Sequence, residues 1–133
     1  MSLTDSMRSY LHEPRFAILA TTGKSGRIQQ TVMWYRMDGD TVVMNTAKGR
    51  TKAINLESHP EISVCVADGY RFLTLQGTAT IDADPARGQE EIQTIGLRYV
   101  DQAEIERTYR DTWKRQQRIT IEMPIDHVIA NGF

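Results

Sequence analysis

A chain of 133 residues has the length of one compact domain rather than two. It is 40% hydrophobic and 25% charged, an ordinary globular balance, and at this size it buries about two-thirds of its unfolded surface without a metal or disulfide staple. Sixteen basic residues against seventeen acidic ones exclude a dedicated nucleic-acid protein, which needs a basic excess to neutralise phosphates.

Along the chain, "LTDSMRSYLHEP" predicts a short amphipathic helix ended by Pro14, with Leu3, Met7, Tyr10 and Leu11 on one side. "RFAILATT" predicts a strand, "GKSG" a turn, and "RIQQTVMWYRM" a second strand running into the hairpin turn "DGD". "TVVMNT" pairs back as a third strand, and a helix over about 48–57 follows, closed by "SHP". "EISVCVAD" is a fourth strand with Ile62, Val64 and Val66 on one face. "YRFLTLQGTATIDA" is a long fifth, where Gly77 marks a bulge or a close approach. Two helices follow, with Asp84 and Asp101 as caps, then a last strand "RITIEM" and one more in "DHVIANGF". Strands dominate the first eighty residues, so the expected class is mainly β: an antiparallel barrel, closed or partly closed, with peripheral helices.

Side-chain chemistry is sparse. Cys65 is the only cysteine, which excludes an intrachain disulfide and thiolate zinc sites of the usual kind; its alternation with Ser63 and Ala67 reads as a buried thiol. His12, His59 and His127 are scattered and read as surface or loop residues, and Glu90 and Glu91 as a solvated helix face. No GxSxG elbow, Walker loop or GxGxxG occurs. An enzyme built on this chain would leave the hard chemistry to a bound cofactor. There is no signal-peptide pattern and no apolar run of membrane-spanning length, so the expected location is the cytoplasm, away from membranes.

One stretch resists an ordinary reading. "NTAKGRTKAINLESHP" places Lys48, Arg50 and Lys52 around the start of a helix, where the dipole and unpaired N–H groups disfavour cations. An anion at that place would reverse the argument, with Thr46 and Thr51 adding hydroxyls and Gly49 letting the backbone come close. A solvated basic face explains the same residues without a ligand. Val32, Met33, Trp34 and Tyr35 form a bulky run without alternation, either core between two layers or the wall of a pocket.

Taken in order, "ILATTGKSGRIQQTVMWYRMDGDTVVMNTAKGRTKAINLESHPEISVCVAD" and "LQGTATI" resemble the pyridoxamine-phosphate-oxidase-like split β-barrel flavoproteins. The similarity is greatest to the branch that uses the deazaflavin coenzyme F420. It is carried most by "TAKGRTKAINLESHPEISV", with its basic turn, lysine, Asn-Leu pair and proline before a strand. The resemblance implies a six-stranded antiparallel split β-barrel of the FMN-binding type, forming a homodimer with cofactor sites at the subunit interface. It implies that Thr46, Lys48, Arg50, Thr51 and Lys52 hold the cofactor phosphate, that Thr31, Val32, Met33 and Trp34 line the ring, and that Gln76 approaches from a neighbouring strand. The implied activity is hydride transfer between coenzyme F420 and an unsaturated or conjugated small molecule. FMN is the alternative cofactor, and a non-catalytic flavin-, haem- or tetrapyrrole-binding module the alternative role. The chain departs from its relatives at Ile28 and Val32, where prolines are common, and at Ile54, where an arginine is.

Overall fold

A computed structural model describes residues 3–133. Helix α1 (Asp5–His12) opens it, with the Thr4 hydroxyl accepting the Met7 N–H at 3.2 Å. Its apolar side buries Tyr10 and Leu11 and half-buries Met7, with Leu3 buried just ahead of the helix. Strand β1 (Ala17–Thr22) pairs antiparallel with β2 (Ile28–Met33) on one side and with β5 (Glu61–Asp68) on the other. Strand β6 (Arg71–Thr78) follows β5, and β9 (His127–Asn131) closes a five-stranded sheet in the order β2-β1-β5-β6-β9. A second, four-stranded sheet has the order β3-β4-β8-β7, formed by β3 (Arg36–Asp38), β4 (Thr41–Ala47), β7 (Thr80–Asp82) and β8 (Arg118–Pro124).

Two of the expected strands are each divided between the sheets. The run over 27–37 leaves the five-stranded sheet after Met33 and enters the other as β3, turning at Trp34 and Tyr35. The run over 70–83 does the same at Ala79, between β6 and β7. These corners, with β9, turn six expected strands into nine segments, and they leave a split barrel rather than a closed one. At the second corner Gly77 keeps its pairing with β5, so no bulge forms. A Cβ there would run into the Pro124 carbonyl at the end of β8, which is the close approach the glycine permits.

The core lies between the sheets. Alternation sends Leu19 from β1, Val64 and Val66 from β5, and Leu73 and Leu75 from β6 against Val42 and Met44 of β4 and Ile121 and Met123 of β8. Burying each such side chain fully contributes about 1.5–3 kcal/mol. Strand β4 is buried on its other face as well, because helix α3 (Pro85–Gly96) lies across β4 and β8. Asp84 caps α3 and Asp101 caps α4 (Gln102–Asp111), as expected; a short 3₁₀ turn (Trp113–Arg115) then leads into β8.

Three expectations need correction. Helix α2 spans Thr51–Ser58, three residues later than expected, because Ala47 to Arg50 form a turn with Gly49 at φ 92°. Glu91 is not solvated. It is buried beneath α3 and takes two hydrogen bonds from the Arg36 guanidinium of β3. Cys65 lies on the outer face of the five-stranded sheet and is only half-buried. His12 and His127 are exposed, and His59 is half-buried at the end of α2.

Candidate anion and ring site

The site begins where β4 ends. Asn45 and Thr46 are buried, and beyond the turn Arg50 occupies the position that precedes α2. Helices α1, α3 and α4 each have a side-chain oxygen capping the first turn; α2 has none, and no acid stands in its first turn. Its leading N–H groups are therefore left for another acceptor. Gly49 is needed here for its left-handed φ, and no other part of the protein lies within 4 Å of a Cβ built on it.

Lys52 sits in the first turn of α2 with only 6% of its surface exposed. Arg118, at 7%, lies opposite Ala47 in the β4–β8 register, so the start of β8 stands beside the end of β4. Arg118 Nε donates to Asn45 Oδ1 at 2.9 Å and Nη1 donates to Gln116 Oε1 at 2.7 Å. Asn45 Nδ2 in turn donates to the Gly88 carbonyl of α3 at 2.9 Å. Gly88 permits this seating, since a Cβ there would collide with the Arg118 backbone. Among the described residues, none of Arg50, Lys52 and Arg118 pairs with a carboxylate. Burial, then Arg50 and Arg118, pull the Lys52 ammonium below its ordinary value. Burial, then Arg50, pulls Arg118 down to about 10. Dehydrated cations without counter-charge are costly, and an incoming anion offsets that cost.

The three cations border a cavity of about 390 Å³. Phe16, Ile92, Ile95 and Trp113 give it apolar lining, together with the end of β2 and the corner that follows. Trp34 is both packed and lining. One face stacks on Tyr99 with centroids 5.2 Å apart and planes 5° from parallel, and Phe16 stacks on the same Tyr99 at 5.8 Å. The Tyr99 hydroxyl donates to the Arg15 carbonyl at 2.7 Å, which fixes the stack. Burial raises the Tyr99 phenol above its ordinary value, so it stays protonated as a donor.

Of the residues singled out in the sequence, Thr31, Val32, Met33, Trp34, Thr46, Arg50 and Lys52 line this one cavity. Lys48 is exposed and outside it, with its N–H bonded to the Gln117 carbonyl at 2.8 Å. Thr51 faces a different depression, beside Gly23 and Asn55. Gln76 lines a third, on the outer face of the five-stranded sheet with Ser63 and Gly77. The sequence reading passed over Arg118, Asn45, Phe16 and Trp113. Only the β4–β8 register brings Arg118 to the turn, and no local motif announces that pairing. Among the described residues no group of His, Cys, Asp and Glu could hold a metal ion, and no helix is long and apolar enough to cross a membrane.

Two antiparallel sheets that exchange strands, with a cation-lined pocket beside them, define a split β-barrel protein. The chain belongs to the pyridoxamine 5'-phosphate oxidase family, whose model matches residues 3–127. It is similar to the F420H(2)-dependent biliverdin reductase of Mycobacterium tuberculosis (strain CDC 1551 / Oshkosh), with 24% identity over 132 residues, covering 98% of this chain and 89% of that protein. A solved structure named F420 Reductase superposes with a TM-score of 0.79 at 22% identity, covering 96% of this chain and 98% of its own. The conserved hypothetical protein Rv2991 from Mycobacterium tuberculosis does so with a TM-score of 0.75 at 20% identity, covering 96% and 84%. These structural likenesses establish the shared fold.

Proposed function

We propose that this protein is an oxidoreductase that moves a hydride between the deazaflavin coenzyme F420 and an unsaturated or conjugated small molecule. The observation that carries the reading is the buried pair Lys52 and Arg118, without counter-charge, beside an uncapped helix start and a flat aromatic wall. The residues fit the coenzyme: its phosphate is the acceptor that the cations and the α2 N–H groups lack, and the cavity is of ligand size.

Lys52, Arg50 and the Thr46 hydroxyl would hold the phosphate, and Thr31, Val32, Met33 and Trp34 would line the ring. The bound deazaflavin supplies the hydride. Ile92, Ile95 and Trp113 would shield a bound ring from water on the side they line, and the Phe16–Tyr99–Trp34 stack would orient it. The protein's part is placement and exclusion of water.

The working unit we propose is a homodimer. Registers across the five-stranded sheet align Val32, Ile18, Cys65, Thr74 and Ile129 in one row on its outer face. Val32 is 60% and Ile129 47% exposed, a row apolar enough to bury against a second copy. Val32 belongs to this row and also to the cavity, so a partner seated here would reach the cavity mouth and could bring its Gln76 with it.

FMN is the second reading, favoured by one feature: three cations suit the two charges of a phosphate monoester. Fluorescence titration with F420 and FMN separates the two. Saturable F420 binding at micromolar concentration, with single-turnover oxidation of the reduced coenzyme by a quinone, an enone or a tetrapyrrole, is the expected result. Tetrapyrroles join the panel because the mycobacterial relative is named for biliverdin. A protein purified yellow that prefers FMN would overturn the deazaflavin assignment, and tight binding without any turnover would leave a carrier.

A further inference from the structure

Among the described residues, every arginine except Arg118 that has a side-chain acceptor has a carboxylate there, while Arg71, Arg98 and Arg115 donate to main-chain carbonyls. Arg36 faces Glu91, Arg87 faces Asp82 and Glu122, and Arg8 faces Asp40, each a carboxylate. Arg118, the most deeply buried of them, is held by two amide oxygens instead, those of Asn45 and Gln116. An amide satisfies the guanidinium's hydrogen bonds and leaves its charge uncancelled. Nη2 has no acceptor among the described residues, and Arg118 lines the cavity.

We propose that Arg118 is a specificity-determining residue that binds a second negative charge of the ligand, apart from the one held by Lys52 and the start of α2, and that Gln116 keeps it available by remaining neutral. The inference rests on the cavity taking a phosphorylated ring molecule, and deepens that reading by naming the charge the ligand carries there. The ligand brings two negative charges to one end of a flat body. A phosphate monoester does so by itself, and a phosphodiester does so with a neighbouring carboxylate.

Asn45 is the positioning residue. Its amide joins the Gly88 carbonyl on one side to Arg118 Nε on the other, so helix α3 and strand β4 together fix the plane of the guanidinium. Gln116 is fixed in turn, because Gln89 Nε2 donates to its backbone carbonyl at 3.0 Å and to that of Trp113 at 2.7 Å. The backbone that presents the Gln116 carboxamide therefore does not depend on the carboxamide itself.

The decisive substitution is Gln116→Glu, which keeps the acceptor for Nη1 and adds the missing counter-charge from inside the protein. Wild type, Gln116→Glu and Arg118→Gln are titrated with phenyl phosphate, a dianion at pH 8, and with methyl phenyl phosphate, a monoanion. Each protein is also melted. Wild type should prefer the dianion, and Gln116→Glu should lose about tenfold or more of its dianion affinity while melting no lower than wild type. Arg118→Gln should bind the two probes nearly alike. The proposal is overturned if wild type binds neither probe, or does not distinguish them. It is equally overturned if Gln116→Glu binds the dianion as tightly as wild type. Titrations with F420 and FMN run alongside separate the two readings. Cofactor binding unchanged in Gln116→Glu sinks only the role of Arg118, whereas charge-dependent probe binding with neither cofactor bound sinks only the cofactor assignment. Between the sources of the second charge, weakening of FMN by Gln116→Glu points to the monoester, and weakening of F420 alone to the flanking carboxylate.

Discussion

Lys52 carries an ammonium into a place where the fold strips it of water and sets two guanidinium groups near it. Replacing it with methionine should remove that penalty. Lys52→Met is expected to stabilise the ligand-free protein by about 1 kcal/mol and to weaken anion binding by about 1.5–3 kcal/mol, read by denaturant titration and by calorimetry. The pH dependence has a definite sign. The folded ammonium titrates below 10.5, so in the window between its folded value and 10.5 the unfolded chain holds the extra proton and stability rises with pH. Lys52→Met flattens that rise, leaving the part that Arg118 adds with the same sign. Lys52 was legible because it shares a turn with Thr46 and Arg50, and Thr31 to Trp34 because they are consecutive. Arg118 was not, because it stands at the head of a strand more than sixty residues further on and meets the turn only through pairing.

Helix α3 is fastened to β3 by a single carboxylate. Arg36 Nε donates to Glu91 Oε2 at 2.9 Å, and Nη2 donates to Oε1. The hydrogen bonds from Arg36 hold the Glu91 carboxyl below its ordinary value against the opposing effect of burial. Its contribution is therefore complete above the unfolded carboxyl value of 4.5 and is lost as pH falls through the lower folded one. Glu91→Gln should cost about 2 kcal/mol at neutral pH, since a half-buried arginine loses its partner, and should flatten the acid side of a stability-against-pH curve. The pair Glu90 and Glu91 looks uniform in sequence, but consecutive helical positions point about 100° apart. One therefore meets solvent and the other the sheet. The start of α2 was misplaced for a related reason: a left-handed glycine at 49 inserts a turn, which leaves Lys48 outside the cavity and carries Lys52 in.

At the scale of the molecule, the alternation of Ile62, Val64 and Val66 and the hairpin turns made the antiparallel sheets readable from sequence. The corners were not readable. Nothing in "MWYRM" marks a break, since neither glycine nor proline stands there; the change of sheet is imposed by the packing of the two layers. The outer row was hidden as well, because Cys65 and Thr74 give it no continuous apolar signature until Ile18 and Val32 are aligned beside them. If a second copy covers this face, light scattering should give twice the chain mass, and Ile129→Lys should halve it while weakening the cofactor. An unaltered mass in that variant would move the subunit contact elsewhere.

The row has an experimental use of its own. Cys65 is the molecule's sole thiol and sits at the row's centre, half-shaded by its own chain. If a second copy covers the row, a maleimide dye should label the unaltered protein slowly at high concentration and quickly on dilution, making that sulfur a built-in clock for the coming apart of two chains.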